Sequence, residues 1–386
     1  MATVDDVGGG SGAAGVDVIP GRLAVLALGG VALVGALAGG VARLGWELPA
    51  PAPLVAFHGP LMVAGFLGTV IGLERAVALG RRWAYVAPLA SGLGALMLMV
   101  GAPGGAWLMM LGSGVMVVAF VEILGRQAAL STAIMALGAV SWWIGQILWL
   151  AGEPAPRVVF WWAGFLVLTI AGERLELTRL LRIAPPIRAV FVLAMTMLVV
   201  GLASTPFAPG AGIRIVGVAF IVLALWLGLF DIARRTVRIS GLPRFIAVAL
   251  LSGYAWLGVA GLLAVRWGPV AAGLSYDAML HAVFVGFVFS MIFGHAPIIV
   301  PAVLGRRLIY RPRFYVHLGG LHASLVLRIV GDLAPWLPGR RWGGLLNALA
   351  IVLFFANTVT GLLQPECRAD LGSCAPEPRV SKEEAP

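Results

Sequence analysis

Two stretches about a hundred residues apart share one pattern: residues 62–75 read MVAGFLGTVIGLER, and residues 161–174 read WWAGFLVLTIAGER. A third stretch, residues 283–296, reads VFVGFVFSMIFGHA. In each stretch a Gly-Phe pair is followed by isoleucine six residues after the glycine, and the chain contains Gly-Phe nowhere else. Self-similarity at a regular interval is typical of repeat architectures, so these stretches predict three copies of one structural unit.

The three stretches lie in a chain of 386 residues that is 60% hydrophobic and only 11% charged. A soluble domain cannot solvate such a surface, whereas a membrane helix needs about 20 apolar residues to cross a hydrocarbon core about 30 Å thick. Apolar runs of that kind lie near residues 22–44, 53–79, 83–102, 105–125, 129–151, 157–178, 187–205, 210–230, 244–265, 277–304, 313–334 and 342–363. The sequence therefore predicts an all-α, polytopic membrane bundle of about 12 transmembrane helices.

The repeat stretches fall in the second, sixth and tenth of these runs, so each repeat unit contains four helices. The units cover roughly residues 22–125, 129–230 and 244–363 within a transmembrane domain of residues 20–365. Because four is even, every unit starts with the same topology, which predicts a parallel pseudo-threefold arrangement around an axis along the membrane normal. Two triplets are then expected at equivalent depths: Phe66, Phe165 and Phe287, and Glu74, Glu173 and His295.

The distribution of charge predicts how the chain is oriented. Sixteen arginines lie in or beside the loops after the even-numbered runs, whereas six lie at the other face. Cytoplasmic loops carry the excess of Lys and Arg, so both termini are expected on the cytoplasmic side of a bacterial inner membrane. The net charge of +10 does not indicate a nucleic-acid partner, because the arginines form no basic stripe interleaved with aromatic residues.

The two ends of the chain differ from the rest in composition. Residues 1–19 are Gly-rich and acidic and lack the basic start and apolar run of a cleavable signal, so we expect a disordered tail. Residues 366–386 predict a second disordered tail, which contains Cys367 and Cys374. A disulfide is not expected on the reducing side of the membrane, and no second Cys or His pair completes a metal site.

The five histidines of the chain all fall inside predicted spans: His58, His281, His295, His317 and His322. Polar side chains at that depth are costly, so they generally face the interior of the bundle and have a partner there. Hydrogen bonds between helices are one explanation for each histidine taken singly. A cofactor is the other explanation, and it accounts for all five together.

Depth and facing direction single out His58 and His281 as a pair. A rise of about 1.5 Å per residue puts both roughly 12 Å outside the midplane, and their offset from the Gly-Phe pair makes them face opposite ways on their own repeats. Two imidazoles on facing helices can bind haem iron from both sides. Arg328 lies at the same depth and can bind a haem propionate, or it can instead pair with Asp332 one turn away.

The other three histidines lie deeper, and they predict either a second metal site or a proton path. His295, His317 and His322 can converge, and three imidazoles would suit copper. Alternatively, Glu74 and Glu173 form a proton path with His295, because the three occupy equivalent repeat positions. The same glutamates can also be paired with the arginines that follow them at helix ends.

Local sequence resembles a known family. Residues 58–66 (HGPLMVAGF), residues 281–286 (HAVFVG) and the later pair Gly294-His295 look like the histidine-bearing helices of NnrS-type proteins. That resemblance implies a twelve-helix membrane protein with haem and copper and a role in nitric oxide stress. The layout of three four-helix units is also similar to the catalytic subunit of haem-copper oxidases, where helices 2 and 10 supply haem ligands. The seventh run has no histidine, so the resemblance does not extend to the copper ligands of those oxidases.

Three functional hypotheses follow from these patterns. The first is a membrane protein that binds b-type haem, and copper in addition, with a redox or nitric-oxide-response role and with a quinol or an electron-donor protein as partner. The second is a proton-coupled secondary transporter that uses Glu74, Glu173 and His295. The third is a structural subunit whose buried polar residues hold helices together.

Overall fold

A computed structural model describes residues 18–181, 183–305 and 308–363 of the chain. Helix starts at Val18, so the last two residues of the first predicted tail are helical. The rest of that tail lies outside the described residues, as does the whole of the second tail with Cys367 and Cys374.

The predicted all-α polytopic bundle is confirmed, and each of the twelve predicted runs contains a helix. The helices are α1 (Val18–Arg43), α2 (His58–Leu79), α3 (Val86–Met99), α4 (Gly105–Arg126), α5 (Leu130–Leu150), α6 (Ala155–Leu177), α7 (Pro185–Ser204), α8 (Pro209–Phe230), α9 (Leu242–Trp267), α10 (Leu274–Leu304), α11 (Phe314–Leu333) and α12 (Leu337–Leu363). Among the described residues, eleven helices are long and apolar enough to cross a membrane. Helix α3 has 14 residues and is preceded by a 3₁₀ turn at Arg82–Tyr85, so it is shorter than predicted.

Proline and glycine set many of the helix ends. Five helices, α6 to α9 and α12, carry proline at one of their first two positions, where the missing N–H costs nothing. Helices α2 and α10 end at Gly80 and Gly305, whose φ angles of 68° and 64° are left-handed and favour glycine. The short connections that result place consecutive helices side by side.

The three helices that carry the repeat form the centre of the bundle. In an 18-residue window of α2, α6 and α10, 67%, 89% and 61% of the residues are buried, against at most 50% in any other candidate span. Each pair of these helices is in contact: Arg75 bonds Glu173, Arg174 lies against His295, and Phe66 stacks on Phe289. The outer helices surround them, and α12 returns to α1, where the rings of Trp46 and Trp342 meet edge to face at 5.0 Å.

The glycines of the three Gly-Phe pairs are positions of close helix approach in α2, α6 and α10. A Cβ built at Gly65 would lie 2.9 Å from Ala95, and one built at Gly164 would lie 2.5 Å from Leu202. At Gly286 the corresponding atom would lie 2.5 Å from Trp256. Neighbouring helices can approach this closely only because the side chain is absent, so the Gly-Phe pattern records a packing requirement.

Helices α2 and α10 share a feature that α6 lacks. A π-helical segment follows each predicted haem ligand, at Leu61–Leu67 after His58 and at Ala282–Phe289 after His281. Helix α6 is α-helical from Ala155 to Leu177. Single π-helical turns are rare and occur frequently at functional sites, so this difference distinguishes the two histidine-bearing helices from their repeat partner.

Candidate ligand-binding site

A cavity of about 440 Å³, here called the ligand pocket, lies between α1, α2, α6, α10, α11 and α12. It is lined by the three residues that the sequence singles out for haem, His58, His281 and Arg328. Its walls are mainly apolar and include Leu37, Val41, Met62, Val63, Phe284 and Ile351. Pockets of this size with a few convergent polar groups are typical of small-molecule and cofactor sites.

His58 is oriented by helix α1. Its Nδ1 lies 2.6 Å from the backbone oxygen of Ala36, and because a carbonyl only accepts, Nδ1 donates. A Cβ at Gly40 would lie 2.7 Å from the imidazole Cε1, so only glycine admits the ring here. The chain reaches His58 through the short helix Ala52–Ala56 and a break at Phe57, which turn the imidazole towards α1. The Nε2 atom therefore carries the free lone pair.

His281 is oriented in the same way by its own helix. Its Nδ1 lies 2.8 Å from the backbone oxygen of Asp277 and 3.4 Å from the Oδ1 atom of that residue. Among the described residues, neither histidine Nε2 in the pocket has a hydrogen-bond partner in the protein. The Nε2 lone pairs of His58 on α2 and His281 on α10 are thus both available in the same cavity.

Arg328 is the third predicted residue, and its partner differs from the predicted one. Its Nε and Nη2 atoms donate to the two carboxylate oxygens of Asp277 at 2.9 and 3.0 Å. The predicted pair with Asp332 is wrong, because the partner of Asp332 is Arg340, with Nε 3.0 Å from Oδ1. Asp277, on α10, binds Arg328 in place of Asp332. The spacing of residues within α11 does not predict this contact between two helices.

Sequence reasoning missed Asp277, Arg340 and Arg43, all of which line the pocket. Asp277 was detectable, because it is a carboxylate inside a predicted span, four residues before a histidine on the same helix face. Arg340 and Arg43 lie at helix ends, where basic residues are expected at any membrane surface. Only the fold shows that they meet at the mouth of one cavity.

The structure does not bring the other three histidines together. His295 Nδ1 bonds the Met291 backbone oxygen at 2.7 Å, and its Nε2 lies 3.4 Å from Arg174. His322 accepts a bond from Trp256 at 3.0 Å. His317 contacts Asn357 at 3.1 Å and is surrounded by the aromatic rings of Phe245, Phe293, Phe314 and Phe354. No group of three or more His, Cys, Asp or Glu residues in the described part of the chain could hold a metal ion.

The three equivalent repeat positions belong to two groups of residues, here together called the ion-pair cluster: Glu74, Arg75 and Glu173 in one, and Arg174, Asp231 and His295 in the other. Arg75 joins the first two repeats by bonding Glu173 and lying 3.5 Å from Glu74. Arg174 donates two bonds of 2.8 Å to Asp231. The arginines that follow the repeat glutamates therefore serve as their counterions or as links to the next repeat.

Comparison with known proteins places the chain in a family. The family model described as "Domain of unknown function (DUF8744)" matches residues 22–363, so the chain belongs to that family. Over 127 residues the chain is also 32% identical to a glycerol-3-phosphate acyltransferase from Janthinobacterium sp. (strain Marseille). That similarity covers 32% of this chain and 61% of the relative, so the chain spans less than two thirds of the relative's length.

Proposed function

We propose that this DUF8744 protein is an integral membrane haem-binding protein in which His58 and His281 supply the axial ligands. One observation carries the proposal: both imidazoles line the same cavity, and each uses Nδ1 on a backbone carbonyl, which leaves Nε2 free. Metal-bound histidines almost always donate their other ring N–H in this way, because that bond fixes the tautomer and the ring orientation.

The remaining walls of the pocket also fit haem. The macrocycle is apolar and its two propionates are anionic, and the pocket combines apolar walls with Arg43 and Arg340 at its rim. The chain has two cysteines and no Cys-x-x-Cys-His sequence, which favours a non-covalent, b-type haem. When bound, haem supplies one-electron chemistry, and the protein supplies ligands, burial and electrostatics.

The absorption spectrum of the purified protein tests the proposal. We expect a Soret band, with about one iron per chain as a haem. His58→Ala and His281→Ala should each abolish or shift that band, whereas His322→Ala is the matched control, because His322 bonds Trp256 and does not line the pocket. A colourless wild-type protein after expression with haem supplied, or a double variant with an unchanged spectrum, would reject the assignment.

We further infer a redox or nitric-oxide-response role in a bacterial inner membrane, with both termini cytoplasmic and with a quinol or a protein as electron donor. The resemblance to NnrS-type proteins supports the role, and the arginine distribution supports the orientation. Reporter fusions that place either terminus outside would reject the orientation. The proposal does not include copper, because no group of three or more His, Cys, Asp or Glu residues in the described part of the chain could hold that ion.

The second candidate function is proton-coupled transport, which the ion-pair cluster favours. Glu74, Glu173 and His295 come from three helices; Arg75 contacts both glutamates, and Arg174, which follows Glu173 in the chain, contacts His295. Ionisable residues that meet inside a membrane often serve proton relays. A transporter would bind its substrate without iron, and a Glu74→Gln, Glu173→Gln variant would lose proton uptake. In the haem protein the same variant keeps its Soret band.

A further inference from the structure

Three arginines line the ligand pocket, and the protein uses them differently. Arg328 is nearly buried, with 8% of its side chain exposed, and two of its nitrogens donate hydrogen bonds to Asp277. Arg340 is 23% exposed, and its Nε lies 3.0 Å from Asp332 Oδ1 and 3.7 Å from Asp277 Oδ2. Arg43 is exposed and donates one Nη1 bond of 3.3 Å to the Val55 backbone oxygen. Among the described residues, the Nη atoms of Arg340 and the Nη2 atom of Arg43 have no protein acceptor.

We propose that Arg328 is a positioning residue, which acts on His281 through Asp277, and that Arg43 and Arg340 bind the carboxylates of the pocket's ligand. The inference rests on the proposed haem-binding function and replaces the expectation that Arg328 itself binds a propionate.

The reason lies in the cost of separating Arg328 from Asp277. Asp277 accepts both bonds from Arg328, and its backbone and carboxylate oxygens lie beside His281 Nδ1. If the carboxylate of a ligand bound Arg328 instead, Asp277 would lose the two hydrogen bonds that Arg328 donates to it. The side chain of Asp277 is only 15% exposed. Leaving one member of a buried pair without its partner is strongly unfavourable. Arg328 therefore stays with Asp277, and the bond geometry of His281 is fixed before any ligand arrives.

Arg43 and Arg340 have the free donors that a carboxylate needs. Arginine binds carboxylates through its planar fork, and the terminal nitrogens of Arg340 are available for that geometry. Arg43 ends α1, and Arg340 lies four residues into α12, so the two flank the pocket where those helices meet. Arg43 and Arg340 would then hold the carboxylates of a porphyrin that His58 and His281 bind.

A comparison of haem with its dimethyl ester distinguishes residues that bind the ligand carboxylates from a residue that positions His281. The ligand-free protein is titrated with haem and with haem dimethyl ester, whose carboxylates are blocked, and each dissociation constant is read from the Soret band. Wild-type protein should prefer haem. Arg43→Gln should weaken haem binding about tenfold and leave ester binding unchanged, because one charge-assisted hydrogen bond is lost. Arg340 also lies beside the buried Asp332 carboxylate, so Arg340→Gln should weaken the binding of both ligands, and that of haem more. Arg328→Gln should weaken both ligands alike, so that the preference stays at its wild-type value.

A second readout tests the positioning role directly. Asp277→Asn removes the negative charge beside His281 Nδ1, makes the imidazole a weaker donor to iron and raises the midpoint potential of the loaded protein. Glu74→Gln in the ion-pair cluster is the control and should leave the potential unchanged.

The outcomes separate the two proposals. If wild-type protein binds neither porphyrin, the haem function itself fails and this inference falls with it. If haem binds but Arg328→Gln removes the preference for haem over its ester, Arg328 binds a propionate and the inference is wrong. An unshifted potential in Asp277→Asn would also overturn it. Because Arg43 is exposed, its variant should fold even if Arg328→Gln does not, and an unchanged preference in Arg43→Gln and Arg340→Gln would be decisive against the inference.

Discussion

The ligand pocket and the ion-pair cluster both involve the inner helices α2, α6 and α10, but their polar residues are partnered differently. In the cluster, opposite charges are joined to each other: Arg174 and Asp231 form two bonds of 2.8 Å, with 4% and 0% of their side chains exposed. In the pocket, the Nε2 atoms of His58 and His281 have no partner among the described residues and border a cavity of about 440 Å³.

This difference separates two uses of a polar side chain inside a membrane. A buried charge must be paired, and once its partner is inside the protein it holds helices together. A donor or lone pair that the protein leaves free beside a cavity is available to a ligand. This criterion supports the proposal that the pocket binds haem, and it supports a mainly structural role for the ion-pair cluster over one in transport. The variants below test that division.

The largest effect is expected in the ion-pair cluster. Arg174→Met removes the counterion of the buried Asp231 carboxylate and should lower the free energy of unfolding by about 3–5 kcal/mol. The measurement is an unfolding titration with SDS in mixed micelles. Arg179→Met is the matched control: its pair with Glu176 is 56% and 33% exposed, so its loss should cost less than about 1 kcal/mol.

If Arg174→Met is no less stable than Arg179→Met, the cluster is not a structural element. A protein that tolerates the change but loses proton uptake would instead support the transporter.

A smaller effect is expected at the repeat glycines. Gly65→Ala, Gly164→Ala and Gly286→Ala each force a Cβ to within 2.9 Å or less of a neighbouring helix, so each should cost about 1–3 kcal/mol by overpacking. Gly228→Ala on α8 is the control, because a Cβ there meets nothing within 4 Å. One variant that behaves like the control while the other two are destabilised would break the equivalence of the three units.

Hydropathy predicted the helices, whereas the central position of α2, α6 and α10 is visible only in the structure. The estimate of depth also grouped His58, His281 and Arg328, which line one cavity, because the rise per residue is nearly constant along a helix. The same argument failed to assemble His295, His317 and His322. Depth does not determine which neighbour a side chain faces. These three histidines contact, in that order, Arg174, Asn357 and Trp256.

Two further features could not be read from the sequence. Asp277 and Asp332 both lie close to basic residues. Arg328 pairs with Asp277 because of the way α10 packs on α11. The π-helical segments after His58 and His281 change the hydrogen-bond register of a helix without a distinct residue pattern. Both are settled by packing between helices, which local propensity does not determine.

The smallest effect on stability is expected in the pocket. His58→Ala and His281→Ala each remove one hydrogen bond to a backbone carbonyl, at Ala36 and Asp277, and these carbonyls can also accept their regular helix bonds. Without haem, the loss should be about 1 kcal/mol.

The contrast appears when haem is added. A ligand that binds only the folded protein stabilises it by mass action, about 2.7 kcal/mol at a hundredfold excess over the dissociation constant. Wild-type protein should show that gain in the SDS titration, and the histidine variants should lose most of it. Arg174→Met, if it folds, should keep the full gain, because Arg174 lies in the ion-pair cluster and does not line the pocket. Equal gains in wild-type protein and the double histidine variant would mean that haem binds elsewhere, and the free Nε2 atoms would then no longer distinguish the pocket from the ion-pair cluster.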